Sequence, residues 1–105
     1  MAVEKAISLL GFCARARKVQ FGTNTALTLM EHGKAKLVIV ATDMSENTKE
    51  RVFQAAKSFG VPALEYGLSD ELSHITGNSG RGIFVITDKQ FAESIAQAIR
   101  DTRHN

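Results

Sequence analysis

Two short apolar runs place the strongest constraint on how this chain can fold. Leu37 to Thr42 reads LVIVAT and Ile83 to Thr87 reads IFVIT, and neither run alternates between apolar and polar residues. A strand with one face in water alternates, whereas a strand covered on both faces does not. We therefore predict two fully buried strands, whose sheet needs helices on both of its sides.

The segments around these runs carry the spacing and end signals of helices. The sequence predicts helices over 3–16, from Thr23 or Asn24 to Gly33, from Ser45 to Gly60, from Ser69 to Gly77, and after Asp88. Ser45 and Asp88 are typical helix caps, and Phe59 is expected on the buried face of the third helix. Short extended pieces at 18–21 and 62–66 bring the strands to about four. The alternation of helices and strands indicates an α/β fold with a mixed sheet between helices.

The length and composition are those of one globular domain. The chain has 105 residues, of which 44% are hydrophobic and 23% charged, and we predict a single domain over 1–105. No apolar run reaches the roughly 20 residues of a membrane span. The one cysteine, Cys13, cannot form an internal disulfide, and the N-terminus lacks a cleavable signal pattern. These features predict a cytoplasmic protein.

Charge is unevenly distributed along the chain. Residues 1–36 contain six basic and two acidic side chains, whereas residues 37–105 contain seven basic and nine acidic ones. Such asymmetry favours a basic surface that binds nucleic acid. An ordinary solvated helix end is the alternative explanation for the cations Arg15, Arg17 and Lys18.

The stretch Gly22-Thr23-Asn24 opens the second predicted helix. The first N–H groups of a helix lack internal partners, and the helix dipole favours negative charge there. The amide of Asn24 pairs a donor with an acceptor, which suits a purine edge. The same stretch is also an ordinary helix start if Thr23 or Asn24 caps the helix. The residues alone leave both RNA contact and simple capping open.

The sequence offers little to a catalytic mechanism. None of His32, His74 and His104 lies beside a Cys or carboxylate at metal-ligand spacing, and no Walker or G-x-G-x-x-G pattern occurs. Cys13 is one position from the apolar stripe of the first helix, where a thiol usually packs in the core. We therefore predict no enzymatic activity, no metal, no cofactor and no small-molecule substrate.

A second glycine-rich stretch, GNSGRG, spans Gly77 to Gly82. Phosphate-binding loops lie between a strand and the start of a helix, whereas this stretch follows a helix and precedes a strand. A nucleotide cradle is therefore disfavoured. Two interpretations remain, an ordinary connection and a loop that presents Arg81 and bare backbone to a partner.

The stretch FGTNTALTLMEHGKAKLVIVATDMS resembles the kink-turn-binding large-subunit ribosomal protein family, and in particular its bacterial YlxQ-type members. That family opens its second helix with Gly-x-Asn-Glu and a Lys one turn later, then continues through a Gly, a Lys-Leu-Val-Ile-like strand and an Ala-x-Asp. The matching positions are Gly22, Asn24, Gly33, 36–40, Ala41 and Asp43. The opening LLGFCARARKVQFG is also similar to the YlxQ type. The resemblance covers essentially the whole chain and implies a three-layer αβα sandwich.

The resemblance also implies how RNA is bound. The start of the second helix would dock on the tandem G·A pairs of a sharply bent RNA. Gly22 would allow close approach of the backbone, Asn24 would hydrogen-bond a guanine, and Thr23 would serve a phosphate or cap the helix. Asp43 would shape the loop beside this site. An extruded nucleotide would be covered by the loop from Asn78 to Arg81, with Ile83 behind it.

Two positions of the second helix depart from the family pattern, and a Lys that the family often has on its small helix aligns near His74 here. Thr25 stands in place of the Glu, and Thr28 in place of the Lys. Losing a charged acceptor and a phosphate cation costs about 1.5–3 kcal/mol each. Phosphate contacts that compensate are expected from Arg15, Arg17, Lys18 and Arg81.

Together these features predict a protein that binds structured RNA, with ribosomal RNA or the ribosome as its partner. The alternative is a protein-interaction module on the same fold that has weakened or lost kink-turn recognition.

Overall fold

The computed structural model describes residues 4–77 and 81–103, and its elements follow the predicted order. The helices are α1 (Lys5–Arg15), α2 (Thr23–Glu31), α3 (Glu46–Phe59), α4 (Ser69–Thr76) and α5 (Lys89–Arg103). The strands are β1 (Val19–Phe21), β2 (Leu37–Val40), β3 (Ala63–Glu65) and β4 (Ile83–Ile86). Among the described residues, no helix is long and apolar enough to cross a bilayer.

The four strands form one mixed sheet in the order β1-β4-β2-β3. Strand β4 is antiparallel to both of its neighbours, whereas β2 and β3 are parallel. Every residue of β2 and β4 is buried. The prediction that the two apolar runs form strands covered on both faces is therefore confirmed.

Alternate residues of the two central strands enter two separate cores. Ile39 and Phe84 pack with apolar side chains of α1, α4 and α5. Val38 and Val85, one position along each strand, pack with side chains of α2 and α3. Two helices therefore cover one face of the sheet and three cover the other, which confirms the predicted αβα sandwich.

The helix ends follow local side-chain chemistry where the sequence predicted it. The Ser45 hydroxyl accepts the Thr48 N–H at the start of α3 (3.2 Å). The Asp88 carboxylate likewise accepts the Phe91 N–H at the start of α5 (2.9 Å). Gly60 ends α3 with a left-handed φ of 70°.

The expected burial of Phe59 was wrong, because 47% of this residue is exposed. Val52 and Ala56 are buried on α3, so the predicted face is correct up to that point. The helix has 14 residues and is about 21 Å long, whereas the four-residue strand β2 spans about 13 Å. The last turn of α3 therefore extends beyond the sheet, and Phe59 has little to pack against.

Phe84→Ala is expected to lower the free energy of unfolding by about 3–5 kcal/mol, because Phe84 is fully buried. Its ring also packs edge to face on the ring of Phe21, with 5.7 Å between the ring centroids. Phe59→Ala, the same substitution at an exposed position, should change it by about 0.5 kcal/mol or less. Urea denaturation of both variants measures the difference. Equal losses would contradict this assignment of the core.

Candidate functional site

The direction of the strands gives the sheet two distinct ends. Strands β1, β2 and β3 finish where β4 begins, which we call the Gly22 end, and they begin where β4 finishes, which we call the Lys36 end. At the Gly22 end, the Gly22 N–H donates to the Ile83 carbonyl (3.1 Å) and the Ala41 N–H donates to the Gly82 carbonyl (2.9 Å). These bonds bring together the start of α2, the segment after β2 and the segment before β4.

Gly22 determines how α2 begins. Its φ of 105° favours glycine, and its carbonyl accepts the Ala26 N–H (3.0 Å) as the first helical hydrogen bond. The expectation that Thr23 or Asn24 caps the helix was wrong, because the N-cap is Gly22 and no side chain accepts a capping bond there. The N–H groups of the first turn are therefore available to a ligand at the positive end of the helix dipole.

The polar side chains of α2 lie beside this helix start. Asn24 and Thr28 are exposed, whereas Thr25 is partly buried. All three border a shallow hollow of 270 Å³ together with Leu29. A partner that approaches the free N–H groups therefore also meets an amide and two hydroxyls.

Asp43 connects the segment after β2 to the start of α4. Its carboxylate accepts the Ser69 hydroxyl (2.7 Å) and the Ser69 N–H (2.9 Å), and these bonds lower the pKa of the Asp43 carboxyl. Helix α4 begins at Ser69 as predicted, but a carboxylate 26 residues earlier provides the cap instead of the serine side chain. Of the helices at this end, α3 and α4 thus have a side-chain acceptor and α2 has none.

Arg81 is exposed at the same end of the sheet. The Ser73 hydroxyl donates to its carbonyl (2.7 Å) and accepts its N–H (3.0 Å), which fixes the backbone just before β4. A Cβ on Gly82 would collide with the sulfur of Met44, so the last glycine of GNSGRG permits close packing. Asn78, the other predicted contact in this loop, lies outside the described residues.

The three cations that precede β1 lie at the opposite end from Gly22. The Lys18 carbonyl accepts the Thr87 N–H just after β4 (2.9 Å), which places Lys18 at the Lys36 end. Arg15 and Arg17 are at the end of α1, immediately before Lys18. Strand β1 intervenes, and its length separates Lys18 from Gly22 by about 13 Å. The structure therefore does not bring these three cations to the start of α2.

Arg17 has an unusual backbone conformation, with a left-handed φ of 61°. It follows the last turn of α1, where its N–H donates to the Ala14 carbonyl (3.0 Å) and the next N–H donates to Cys13 (3.0 Å). Glycine is the usual residue at such a position, because a Cβ is strained there. Arg15, two residues earlier, lies over the exposed ring of Phe12 at 4.7 Å.

The Gly22 end itself carries much negative charge. Glu46 begins α3, Asp70 and Glu71 lie in the first turn of α4, and Glu65 ends β3. Lys49 donates to Glu65 (3.0 Å) and Glu46 (3.4 Å), and the bond to Glu65 chiefly raises its pKa. This lysine is therefore engaged by carboxylates.

The structure provides no reactive thiol or metal site in the part of the chain that it describes. Cys13 is completely buried, and burial, followed by the negative charge of Asp88, raises the pKa of its thiol to about 11. A buried thiol with a raised pKa packs in the core and does not act as a nucleophile. No group of three or more His, Cys, Asp and Glu side chains is positioned to hold a metal ion within these same residues.

Comparison with known proteins finds similarity over nearly the whole chain. The model of the ribosomal protein L7Ae/L30e/S12e/Gadd45 family matches residues 4–96. The chain is 34% identical to RNA-binding protein YlxQ of Enterococcus faecium, over 91% of this chain and 92% of that protein. It is 31% identical to RNA-binding protein YlxQ of Bacillus subtilis, over 83% and 87% of the two chains. A solved structure of a protein of unknown function from Bacillus halodurans has a TM-score of 0.91 at 28% identity, over 93% of this chain and 99% of that one.

Asp43→Asn is expected to reduce the dependence of stability on acid. The folded-state pKa of Asp43 is below its ordinary value of 3.8, so the carboxylate stabilises the folded state above that value and this contribution is lost as pH falls through the folded-state pKa. The stability difference between wild type and Asp43→Asn should therefore shrink from neutral pH to about pH 3. Urea denaturation at each pH measures it, with Asp70→Asn on the same helix as the control. A difference that stays constant with pH would refute this linkage.

Arg17→Gly is expected to leave the free energy of unfolding unchanged or to raise it by up to about 1 kcal/mol, because relief of the left-handed strain offsets the larger entropy of unfolded glycine. Arg15→Gly, inside the last turn of α1, should instead lower it by about 1 kcal/mol. The same denaturation experiment distinguishes the two. A loss at Arg17 as large as that at Arg15 would show that the φ of 61° stores no strain.

Proposed function

The chain belongs to the ribosomal protein L7Ae/L30e/S12e/Gadd45 family, and we propose that it is an RNA-binding protein that contacts structured RNA at the Gly22 end of its sheet. Membership confirms the resemblance found in the sequence, including that to YlxQ-type members. The family and these relatives are non-enzymatic, which confirms the prediction that the chain is not an enzyme. Ribosomal RNA is the proposed partner, the cytoplasm the proposed location, and residues 1–105 the proposed single domain.

The observation that carries this proposal is the uncapped start of α2. The free N–H groups of its first turn need acceptors, and Gly22 leaves no side chain in front of them. RNA supplies phosphate and base oxygens as acceptors. Exposed Asn24 adds an amide that pairs with a base edge, and Thr23 adds a hydroxyl for a phosphate.

Two further segments complete the proposed contact surface. The hydrogen bonds of Asp43 to Ser69 hold the loop after β2 in place beside the start of α2. Arg81 provides a cation, and together with Asn78 it is proposed to cover a nucleotide that leaves the RNA stack. Such splayed bases are what proteins read in RNA, because the A-form major groove is too narrow for side chains.

A kink-turn is the proposed RNA structure, with weaker affinity than the family pattern provides. Thr25 and Thr28 border the hollow beside Asn24, and neither supplies the charge that the family has at these positions. The carboxylates of Asp43, Asp70 and Glu71 nearby also repel phosphate. Affinity is therefore expected to depend on the helix N–H groups and on Asn24 more than on charge.

The negative charge at the Gly22 end favours one alternative function, a module that binds protein on the same fold. Its partner would contact the acidic starts of α3 and α4. Titration of the protein against a kink-turn RNA and a matched straight duplex, at several salt concentrations, separates the two functions. Preference for the kink-turn supports the proposal, whereas absence of binding to either RNA would favour the protein-binding alternative.

Asn24→Ala is expected to reduce affinity for the kink-turn RNA by about 1–3 kcal/mol, because the variant loses the amide that pairs with a base. The free energy of unfolding should change by only about 0.5 kcal/mol, since Asn24 caps nothing. Asn47→Ala is the matched control, because Asn47 is also an exposed second residue of a helix. Equal RNA affinity of the two variants would remove Asn24 from the interface.

A further inference from the structure

A group of cations lies at the Lys36 end of the sheet, away from the proposed RNA contact. Lys18 precedes β1, Lys36 precedes β2, and Lys89 begins α5 directly after β4. Arg15 and Arg17 lie at the end of α1, next to Lys18. All five side chains are exposed. Asp88 is the acidic residue nearest to this group in sequence, and its carboxylate is engaged as the cap of α5.

A groove of about 630 Å³ opens beside two of these cations, Lys36 and Lys89. Lys36, Lys89 and Arg100 line it, and none of the three forms an ion pair with another described residue. Its one acidic lining residue is Glu93. Three cations against one carboxylate leave the groove positively charged, which favours an anionic occupant.

Shared lining residues relate this groove to the surface beside Asn24. The hollow at Asn24 shares Thr25 and Leu29 with a second hollow of 460 Å³. Gln20 of β1, Lys34 and Lys36 also line that second hollow, and Lys36 lines the groove as well. We call these three depressions, which are neighbours through shared lining residues from the start of α2 to the cations at the Lys36 end, the path.

We propose that an RNA strand leaving the Gly22 end follows this path, with its phosphates on Lys34, Lys36, Lys89 and Arg100. The inference rests on the proposed RNA binding and extends it to a second segment of the same RNA. Phosphate is the chemistry that fits, because three cations and a single carboxylate line the groove. Contacts of this kind position RNA and do not depend on its sequence.

Two RNAs and two triple variants test the proposal. One RNA is a minimal kink-turn, and the other carries a single-stranded extension of about 12 nucleotides. Even at the duplex spacing of about 3.4 Å per phosphate, this extension exceeds the 38 Å length of the protein. The test variant is Lys36→Gln, Lys89→Gln and Arg100→Gln. The control variant is Lys5→Gln, Arg51→Gln and Lys57→Gln, which removes the same charge from exposed positions outside the path.

The extension is expected to raise the affinity of the wild type and of the control variant, but not that of the test variant. In the test variant, loss of three single-strand phosphate contacts should reduce the slope of log affinity against log salt concentration by about 2. Over a fourfold range of salt concentration, the affinity of the wild type for the extended RNA should therefore fall about 16-fold more than that of the test variant. Affinity for the minimal RNA should be the same in both variants. Circular dichroism of each variant verifies that it is folded.

Three results would overturn the inference, and they differ from a failure of the proposed function. If the extension adds no affinity to the wild type, or if both variants lose the same affinity for the extended RNA, RNA does not follow the path. Kink-turn binding would remain intact in either case. Tighter binding of polyglutamate than of the extended RNA, lost in the test variant, would make the groove a docking site for acidic protein. A wild type that binds neither RNA would refute the proposed function itself, and the path with it.

Discussion

Strand β4 is hydrogen-bonded to β1 on one side and to β2 on the other, and both pairings are antiparallel. Because every residue of β4 is buried, helices must cover both faces of the sheet at this strand. The ladder continues beyond the strands, through Gly22 to Ile83 and Ala41 to Gly82. The segments that gather at the Gly22 end are therefore held by the same hydrogen bonds that align the core. Their relative positions are as fixed as the sheet itself.

The architecture was predictable because its signals are local. The apolar runs of β2 and β4 lack alternation whatever surrounds them. Ser45 and Asp88 each cap a helix that begins at the next residue, by accepting an N–H three residues further on. Phe59 was misjudged for a reason that no local pattern contains. Phe59 lies on the predicted face of α3, but the helix is longer than the strands beneath it. Its last turn therefore has little to pack against, and Phe59 is exposed.

The site was less predictable because its geometry depends on residues distant in the chain. The cap of α4 comes from Asp43, and nothing near Ser69 in the sequence indicates this. Arg17 and Gly22 are close in sequence, yet they lie at opposite ends of the sheet because strand β1 runs between them. The positive φ of Gly22 also could not be derived from the sequence, and with it the glycine, rather than the threonine or asparagine after it, is the N-cap.

Because β1 places Arg17 and Gly22 at opposite ends of the sheet, the cations near Arg17 lie away from the proposed RNA contact at Gly22. In the proposed RNA contact, the Gly22 end offers helix N–H groups and the Asn24 amide, which suit a base edge but attract phosphate weakly amid several carboxylates. The Lys36 end offers cations that attract phosphate but cannot distinguish one RNA from another. Salt screens the second kind of contact far more than the first, because neutral hydrogen bonds release no counterions. Under the proposed function, contacts at the Gly22 end provide the selectivity and most of the affinity for a kink-turn, and contacts at the Lys36 end add affinity that falls steeply as ionic strength rises.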